Sequence, residues 1–106
     1  MKKLLNCSAV YDYNNLVSYN TLVFQRKDNI LFLYCYRSHT TLSHIRKFAD
    51  VIEKTSPDYA TVIKMMYRYN ITNKKTACVY NMETGEILSD TNGTKMMNVF
   101  VELTRG

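Results

Sequence analysis

The sequence predicts a single α+β domain spanning residues 1–106: an antiparallel three-stranded meander, two consecutive helices, a C-terminal β-hairpin and a final strand. Three observations support this fold class. β-branched and aromatic residues dominate short segments that polar turns separate. A helical spacing of apolar residues follows over residues 42–54, and a Ser-Pro-Asp helix start comes soon after it. The 106 residues, 46% hydrophobic and 22% charged, are enough for one core.

The meander is predicted over residues 6–13, 16–26 and 30–37. The Asn14-Asn15 pair favours a tight turn after the first segment, and the Lys-Asp-Asn step at residues 27–29 favours a second turn. The third segment, ILFLYCYR, is apolar on both of its faces. A strand of that kind usually lies centrally in a sheet or is covered on both sides.

The first helix is predicted over residues 42–54, where apolar side chains recur every three or four residues and charged side chains lie opposite. Thr40 or Thr41 is its predicted N-cap, because a threonine hydroxyl accepts a hydrogen bond from a free backbone N–H of the first turn. The second helix is predicted over residues 57–69, with Ser56 as N-cap and proline at its first position.

The second helix is apolar around most of its circumference, which leaves two interpretations open. In the first, the helix packs on the sheet as part of the core. In the second, a flank rich in Met and Tyr stays exposed, as expected of an adaptable protein contact or of a homodimer. On the second interpretation the partner-binding residues are Tyr59, Ile63, Lys64, Met66, Tyr67 and Arg68.

The C-terminal hairpin is predicted over residues 76–82 and 86–90, with Gly85 at a turn position that favours positive φ. The last segment, residues 94–103, fits two patterns. Its apolar residues alternate as in a strand, but Met96 and Phe100 also have helical spacing. The β-branched valines favour a strand.

The net charge of +5 argues against a protein that mimics DNA, since such a protein should be strongly acidic. The basic residues form scattered doublets and no basic tail. Two interpretations stay open, a solvated charged surface and a nucleic-acid-binding surface in which lysines and arginines contact phosphates. The candidate nucleic-acid-binding residues are Arg46, Lys47, Lys64, Arg68, Lys74 and Lys75. No RNP motif, zinc finger or GXXG loop accompanies them.

The three cysteines, Cys7, Cys35 and Cys78, have no CxxC spacing and lie among apolar residues. We expect them to be buried thiols in a reducing compartment, the cytoplasm. No segment approaches the roughly 20 apolar residues of a membrane-spanning helix, so no membrane partner is expected.

The step from the third strand into the first helix is the most polar candidate site. Arg37, Thr40 and Thr41 are candidate anion-binding residues, because a helix N-terminus offers free N–H groups and a partial positive charge. The alternative is that the threonines only cap the helix and that the histidines are solvated. His39 and His44 are five residues apart and lack a third ligand, so neither a metal nor another cofactor is expected.

No catalytic constellation stands out, and a non-enzymatic protein is expected. Cys35 lies in the most apolar segment, which disfavours a thiolate nucleophile. The remaining alternative is an enzyme with its site at the strand-to-helix step, built on Arg37, His39 and His44.

Two short motifs resemble a pattern in small uncharacterised proteins of phages and related mobile elements. The first is a Ser-Tyr-x-Thr strand, and the second is a Tyr-x-Ser-x-Thr-Thr-x-x-His-Ile step into a helix. The matching residues are Ser18, Tyr19, Thr21, Tyr36, Ser38, Thr40, Thr41, His44 and Ile45. The resemblance covers about a third of the chain and implies no activity by itself.

What the resemblance implies is a phage-like genome, in which many small accessory proteins bind and inhibit host machinery. The first functional expectation is therefore a non-enzymatic accessory protein that binds a host or defence protein, by analogy an anti-CRISPR-type inhibitor of a CRISPR effector. A basic nucleic-acid-binding module is the second expectation, and an enzyme at the strand-to-helix step is the third.

Overall fold

The sheet contains seven strands in chain order, each antiparallel to its neighbours, within the residues that the structure describes. This computed structural model describes residues 1–4, 8–35 and 39–105. The strands are β1 (Lys2–Lys3), β2 (Ala9–Asp12), β3 (Asn15–Ser18), β4 (Thr21–Lys27), β5 (Ile30–Tyr34), β6 (Ala77–Asn81) and β7 (Ile87–Asp90). The α+β class and the antiparallel meander are confirmed, and the sheet is larger than predicted.

Three helices cover this sheet. α1 (His39–Glu53) and α2 (Pro57–Thr72) connect β5 to β6, while α3 (Gly93–Leu103) follows β7 and contacts β5, β6 and β7. α1 and α2 run antiparallel to each other, since the end of α1 bonds to the middle of α2 through Glu53 and Lys64. The start of α1 therefore lies beside the end of α2.

The central strand β5 is covered on both faces, as its sequence predicts. Leu31 and Leu33 belong to the larger core cluster, which they share with buried residues of α1 and α2. Phe32 points to the other side, where it packs against Phe100 of α3 at a ring-centroid distance of 5.9 Å. The sheet is thus a middle layer between the α1–α2 pair and α3.

The predicted second strand, residues 16–26, is in fact two strands joined by a tight turn. Tyr19 and Asn20 form that turn with φ of 48° and 67°, the left-handed conformations of a two-residue hairpin. The prediction missed it because tyrosine is not a turn signal. A bulge at Val23 shifts the β3–β4 register, so that Val23 and Phe24 are both buried in the larger cluster.

The other predicted turns are found near their predicted positions. The β2–β3 turn is one residue earlier than the predicted Asn14-Asn15 pair, because Asn15 already belongs to β3. Within this turn the Asn14 backbone N–H donates to the Asp12 carboxylate at 2.9 Å. Asp28 has a φ of 54° between β4 and β5, and Gly85 has a φ of 77° between β6 and β7. Each of these positions carries a residue type that tolerates the left-handed region.

Both predicted helix starts differ in detail from the structure. α1 begins at His39, so Thr40 and Thr41 lie in its first turn and are not the N-cap. Ser56 does occupy the N-cap of α2, but its side chain makes no capping bond. Its hydroxyl instead shares a hydrogen bond of 2.9 Å with the Tyr13 hydroxyl. This bond connects the β2–β3 turn to the start of α2.

The prediction of a strand over residues 94–103 is wrong, since this segment is helix α3. Asn92 caps it through its side chain, which accepts a hydrogen bond from the Lys95 N–H at 3.0 Å. Met96 and Phe100, one turn apart, are buried against the sheet. The gain from burying this apolar stripe, together with the cap, outweighs the β preference of the valines.

The interpretation of an exposed Met and Tyr flank on α2 is also wrong. Ile63 and Met66 have no exposed surface, and Tyr59 and Tyr67 are 5% and 7% exposed. Tyr59 donates a hydrogen bond from its hydroxyl to the Tyr13 carbonyl at 2.7 Å. The sheet and α1 therefore use this flank as core, which was the other interpretation. Of the six predicted partner-binding residues, Lys64 is half-buried and Arg68 is exposed.

Candidate functional site at the start of the first helix

A cavity of ≈ 370 Å³ lies where the start of α1 meets the end of α2. We call it the junction cavity. It is lined by Cys35, Leu42, Asn70, Ile71, Lys74 and Lys75. Asn70 and Cys35 are buried and form its interior, whereas Ile71 and Lys74 are exposed at its rim. The cavity therefore opens from the core to solvent between two cationic side chains and an apolar wall.

Asn70 is the unusual residue of this cavity. It continues the buried stripe of α2 one turn beyond Met66, and it has no exposed surface. Neither its Nδ2 nor its Oδ1 has a hydrogen-bond partner in the part of the chain that the structure describes. Its side chain approaches the Cys78 thiol, but a thiol is too weak a partner to satisfy an amide. An unpaired amide in the interior is costly, so its presence calls for an explanation.

The two described cysteines are buried, as expected, and both are free thiols. Burial raises the pKa of Cys35 to about 11 and, with a smaller contribution from Cys35, raises the pKa of Cys78 to about 12. Neither thiol is poised as a thiolate nucleophile near neutral pH. The expectation for Cys7 falls outside the described residues.

A second cavity, of ≈ 220 Å³, includes a residue from the first turn of α1 in its lining. Its lining residues come from β3, β4, β5 and the first turn of α1. They are Ser18, Tyr19, Thr21, Val23, Tyr34 and Thr41. Several residues of the two motifs that carry the phage-protein resemblance thus meet here, although they are far apart in the sequence.

His44 contacts two residues that line this second cavity, Ser18 and Tyr19. Its Nδ1 shares a hydrogen bond of 2.7 Å with the Ser18 hydroxyl, and its ring lies 5.7 Å from the Tyr19 ring. Only 4% of His44 is exposed. Burial, followed by the nearby charge of Lys47, lowers the pKa of His44 below its usual value. The expectation of a solvated histidine is therefore wrong for His44, which is a neutral core residue at neutral pH.

The other residues predicted for an anion site or an enzyme site are not brought together by the described structure. Arg37 and the side chain of His39 lie outside the described residues. Thr40 is exposed, and Thr41 lines the second cavity. No group of three potential metal ligands occurs among the described residues. The anion site and the enzyme site therefore stay predictions.

The basic residues are concentrated in one layer of the molecule. We call α1, α2 and the turn after α2, residues 39–75, the basic layer, because it carries seven Lys or Arg against three Asp or Glu. This net charge of +4 is most of the +5 of the chain. Lys64 bonds to Glu53 at 3.3 Å. Arg46, Arg68 and Lys74 are exposed and have no ion pair among the described residues.

The sequence did not identify Asn70 and Ser18 as residues of the two cavities. Asn70 was placed beyond the predicted helix end at residue 69, although the spacing from Met66 continues the buried stripe. Ser18 was assigned to a strand interior, and nothing in the sequence indicates that its hydroxyl meets His44. Comparisons add no guide to the site, since no protein-family model, curated protein or solved structure matches the chain. No helix in the described part is long and apolar enough to cross a membrane.

Proposed function

We propose that the protein is a non-enzymatic binding protein that contacts nucleic acid through the basic layer. The observation that carries this proposal is that Arg46, Arg68 and Lys74 are exposed and form no ion pair with a described carboxylate, within a layer of net charge +4. Arg46 contacts the Tyr67 ring, at 6.0 Å from its centroid, and this contact leaves its charge available. Cations that no carboxylate neutralises are available to phosphates, and they release the counterions of the nucleic acid when they bind.

The expected mode of binding is contact with the phosphate backbone. Both helices of the basic layer bury their apolar faces against the sheet, so their charged faces are the ones that a nucleic acid would meet. Lys64 is already engaged by Glu53 and contributes less to this surface. Phosphate contacts of this kind bind many sequences alike and weaken strongly with salt.

Binding of short duplex and single-stranded DNA and RNA, followed by fluorescence anisotropy at several salt concentrations, tests this proposal. We expect affinity to fall steeply between about 50 and 200 mM salt. The triple variant Arg46→Gln, Arg68→Gln, Lys74→Gln should reduce the slope of log affinity against log salt by about 3, since each lost phosphate contact removes about 1.

The matched control is the triple variant Lys3→Gln, Lys27→Gln, Arg105→Gln, which removes three exposed cations outside the basic layer. It lowers the net charge equally but should leave most of the affinity intact. An equal loss of affinity in both triple variants, or no binding of nucleic acid to the wild-type chain at low salt, would overturn the proposal.

A second candidate function is the one that the phage-protein resemblance implies, an accessory protein that binds a host or defence protein. The observation that favours it is a set of exposed apolar side chains at α3 and at the edge strand β7. Leu88 is 40% exposed, Val101 46% and Leu103 52%. Because the α2 flank is core, a surface of this kind is the alternative that α3 and β7 offer to a protein partner.

Affinity capture from host lysate compares the wild-type chain with the variant Val101→Glu, Leu103→Glu and with the basic-layer triple variant. A partner that is lost only with the α3 variant supports protein binding. A partner that both variants retain is inconsistent with either surface, and light scattering of the purified chain shows whether the α3 surface is used by a homodimer.

A further inference from the structure

We propose that the junction cavity binds a nucleotide, with the edge of the base at the Asn70 amide and the phosphate at Lys74 and Lys75. The same chemistry has two sources, a free nucleotide or an unpaired nucleotide of a single strand. The second source rests on the proposed nucleic-acid binding, whereas the first stands without it.

Asn70 is a polar residue in an otherwise apolar part of α2. It lies on the buried stripe of α2, where every other stripe residue is apolar. Neither polar atom of its side chain has a partner among the described residues, and Asn70 lines the junction cavity. A leucine there would extend the apolar core without this cost. A polar residue that stability does not favour, in the wall of a cavity, is explained by a ligand that pairs with it. Because the amide is fully buried here, the side chain must rotate towards the cavity when the ligand binds.

The amide sets the chemistry of that ligand. It presents one acceptor and a pair of donors side by side, which matches an adjacent donor and acceptor on a base edge. Adenine is the best-fitting base, since Asn pairs with its N6 amino group and a neighbouring ring nitrogen. Leu42 and Ile71 supply apolar walls of the cavity for the faces of the ring.

The cavity rim sets the charge of the ligand. Lys74 and Lys75 line the same cavity as Asn70, and Lys74 has no ion pair among the described residues. Lys75 lies close enough to Asp90 to contribute to the lowered pKa of that carboxyl, so Lys74 is the stronger phosphate ligand of the two. A volume of ≈ 370 Å³ lies within the range of small-molecule sites and suits one nucleotide.

Nuclear magnetic resonance of the isotope-labelled full chain tests this inference directly. Adenosine monophosphate, ribose 5-phosphate and single-stranded oligo(dA) are each titrated while the side-chain amide resonance of Asn70 is followed. Adenosine monophosphate should shift this resonance in a saturable way, and ribose 5-phosphate should leave it in place. Asn70→Leu should weaken adenosine monophosphate binding about 10-fold or more, as the loss of a paired base edge does. Asn98→Leu, an exposed asparagine of α3, is the matched control.

The outcomes separate this inference from the proposed function. If duplex DNA binds the basic layer while neither adenosine monophosphate nor oligo(dA) shifts Asn70, the inference fails and the proposed function stands. If adenosine monophosphate alone shifts Asn70, the ligand is a free nucleotide. If oligo(dA) shifts it and the free nucleotide does not, the ligand is part of a strand. Equal shifts with ribose 5-phosphate would show a phosphate site without base recognition and overturn the role of Asn70.

Discussion

Replacing Asn70 with leucine should make the protein more stable, which is an unusual outcome for a substitution in a core. The reason is that the wild-type side chain has no exposed surface and two unpaired polar atoms. Leucine has the same branching as asparagine, and the junction cavity beside it has room for its larger methyl groups. It keeps the helix and adds apolar contacts beside Cys35 and Leu42. The substitution removes a cost and takes away only the weak contact with the Cys78 thiol, which keeps the Met66 carbonyl as its acceptor.

The magnitude follows from the cost of an unsatisfied buried group, about 1–3 kcal/mol. We expect Asn70→Leu to raise the free energy of unfolding by an amount in that range. For a chain of 106 residues, an unfolding entropy of about 2.1 cal/mol/K per residue converts each kcal/mol into a Tm increase of about 4–5 °C. Urea denaturation followed by circular dichroism measures the free energy, and an unchanged m value confirms that the two folded states are equally compact.

Asn98→Leu controls for the general preference of helices for leucine over asparagine, because Asn98 is exposed on α3. It should change stability by no more than about 0.5 kcal/mol. If Asn70→Leu instead lowers stability by 1 kcal/mol or more, the amide is satisfied in solution. Asn70 would then be a structural residue, and the argument for a ligand at the junction cavity would lose its main support.

Three further predictions concern the second cavity and α3. Ser18→Ala should destabilise the protein by about 1–3 kcal/mol in urea denaturation, since it leaves His44 Nδ1 unpaired in the interior; an unchanged midpoint would show that this bond contributes nothing. The lowered pKa of His44 means that the folded state binds fewer protons than the unfolded state, so stability should fall as the pH drops below about 6.5, with a slope of at most about 1.4 kcal/mol per pH unit. In His44→Gln this part of the slope should vanish, and a pH profile identical to the wild type would contradict the assignment. Gly93→Ala should lower the free energy of unfolding in urea denaturation by about 1–3 kcal/mol, because the new Cβ would lie 2.6 Å from the Tyr34 ring. If the variant is instead more stable, the Tyr34 ring moves away at little cost and the higher helix propensity of alanine dominates.

Periodicity correctly predicted the elements whose structure is determined mainly by the burial of apolar side chains. The apolar faces of β5 and α1 have no soluble alternative to burial, so their positions and coverage follow from the pattern alone. The final segment shows the limit, since its valines favour a strand and its Met96–Phe100 spacing favours a helix. In this segment the helix is favoured by packing against the sheet, because α3 buries the second face of β5. The local sequence pattern does not show that this face of β5 would otherwise be exposed.

The chemistry of the two cavities could not be predicted from the sequence. The strand-to-helix step was singled out by its polar residues, and only Thr41 of the predicted anion-binding residues lines one of these cavities. The residues that give the cavities their chemistry come from elsewhere, Ser18 from β3 and Asn70 from the end of α2. Such meetings depend on the packing of α1 and α2 against the sheet, which residue spacing within one segment cannot specify.

Two unusual backbone conformations occur at residues that line the two cavities. Four described residues other than glycine have positive φ. Two of them, Asn20 and Asp28, are residue types that tolerate this region. The other two are Tyr19 and Lys74, with φ of 48° and 55°, where glycine or asparagine would cost less. Tyr19 lines the second cavity and Lys74 lines the junction cavity, where the unpaired amide of Asn70 also lies. Both conformations have a local cause, since Tyr19 opens the β3–β4 hairpin and Lys74 follows the C-cap of α2, where the Lys75 N–H donates to the Asn70 carbonyl at 2.8 Å. The turn and the cap therefore fix the backbone, and what they leave unexplained is the choice of tyrosine and lysine at positions that glycine or asparagine would occupy at lower cost.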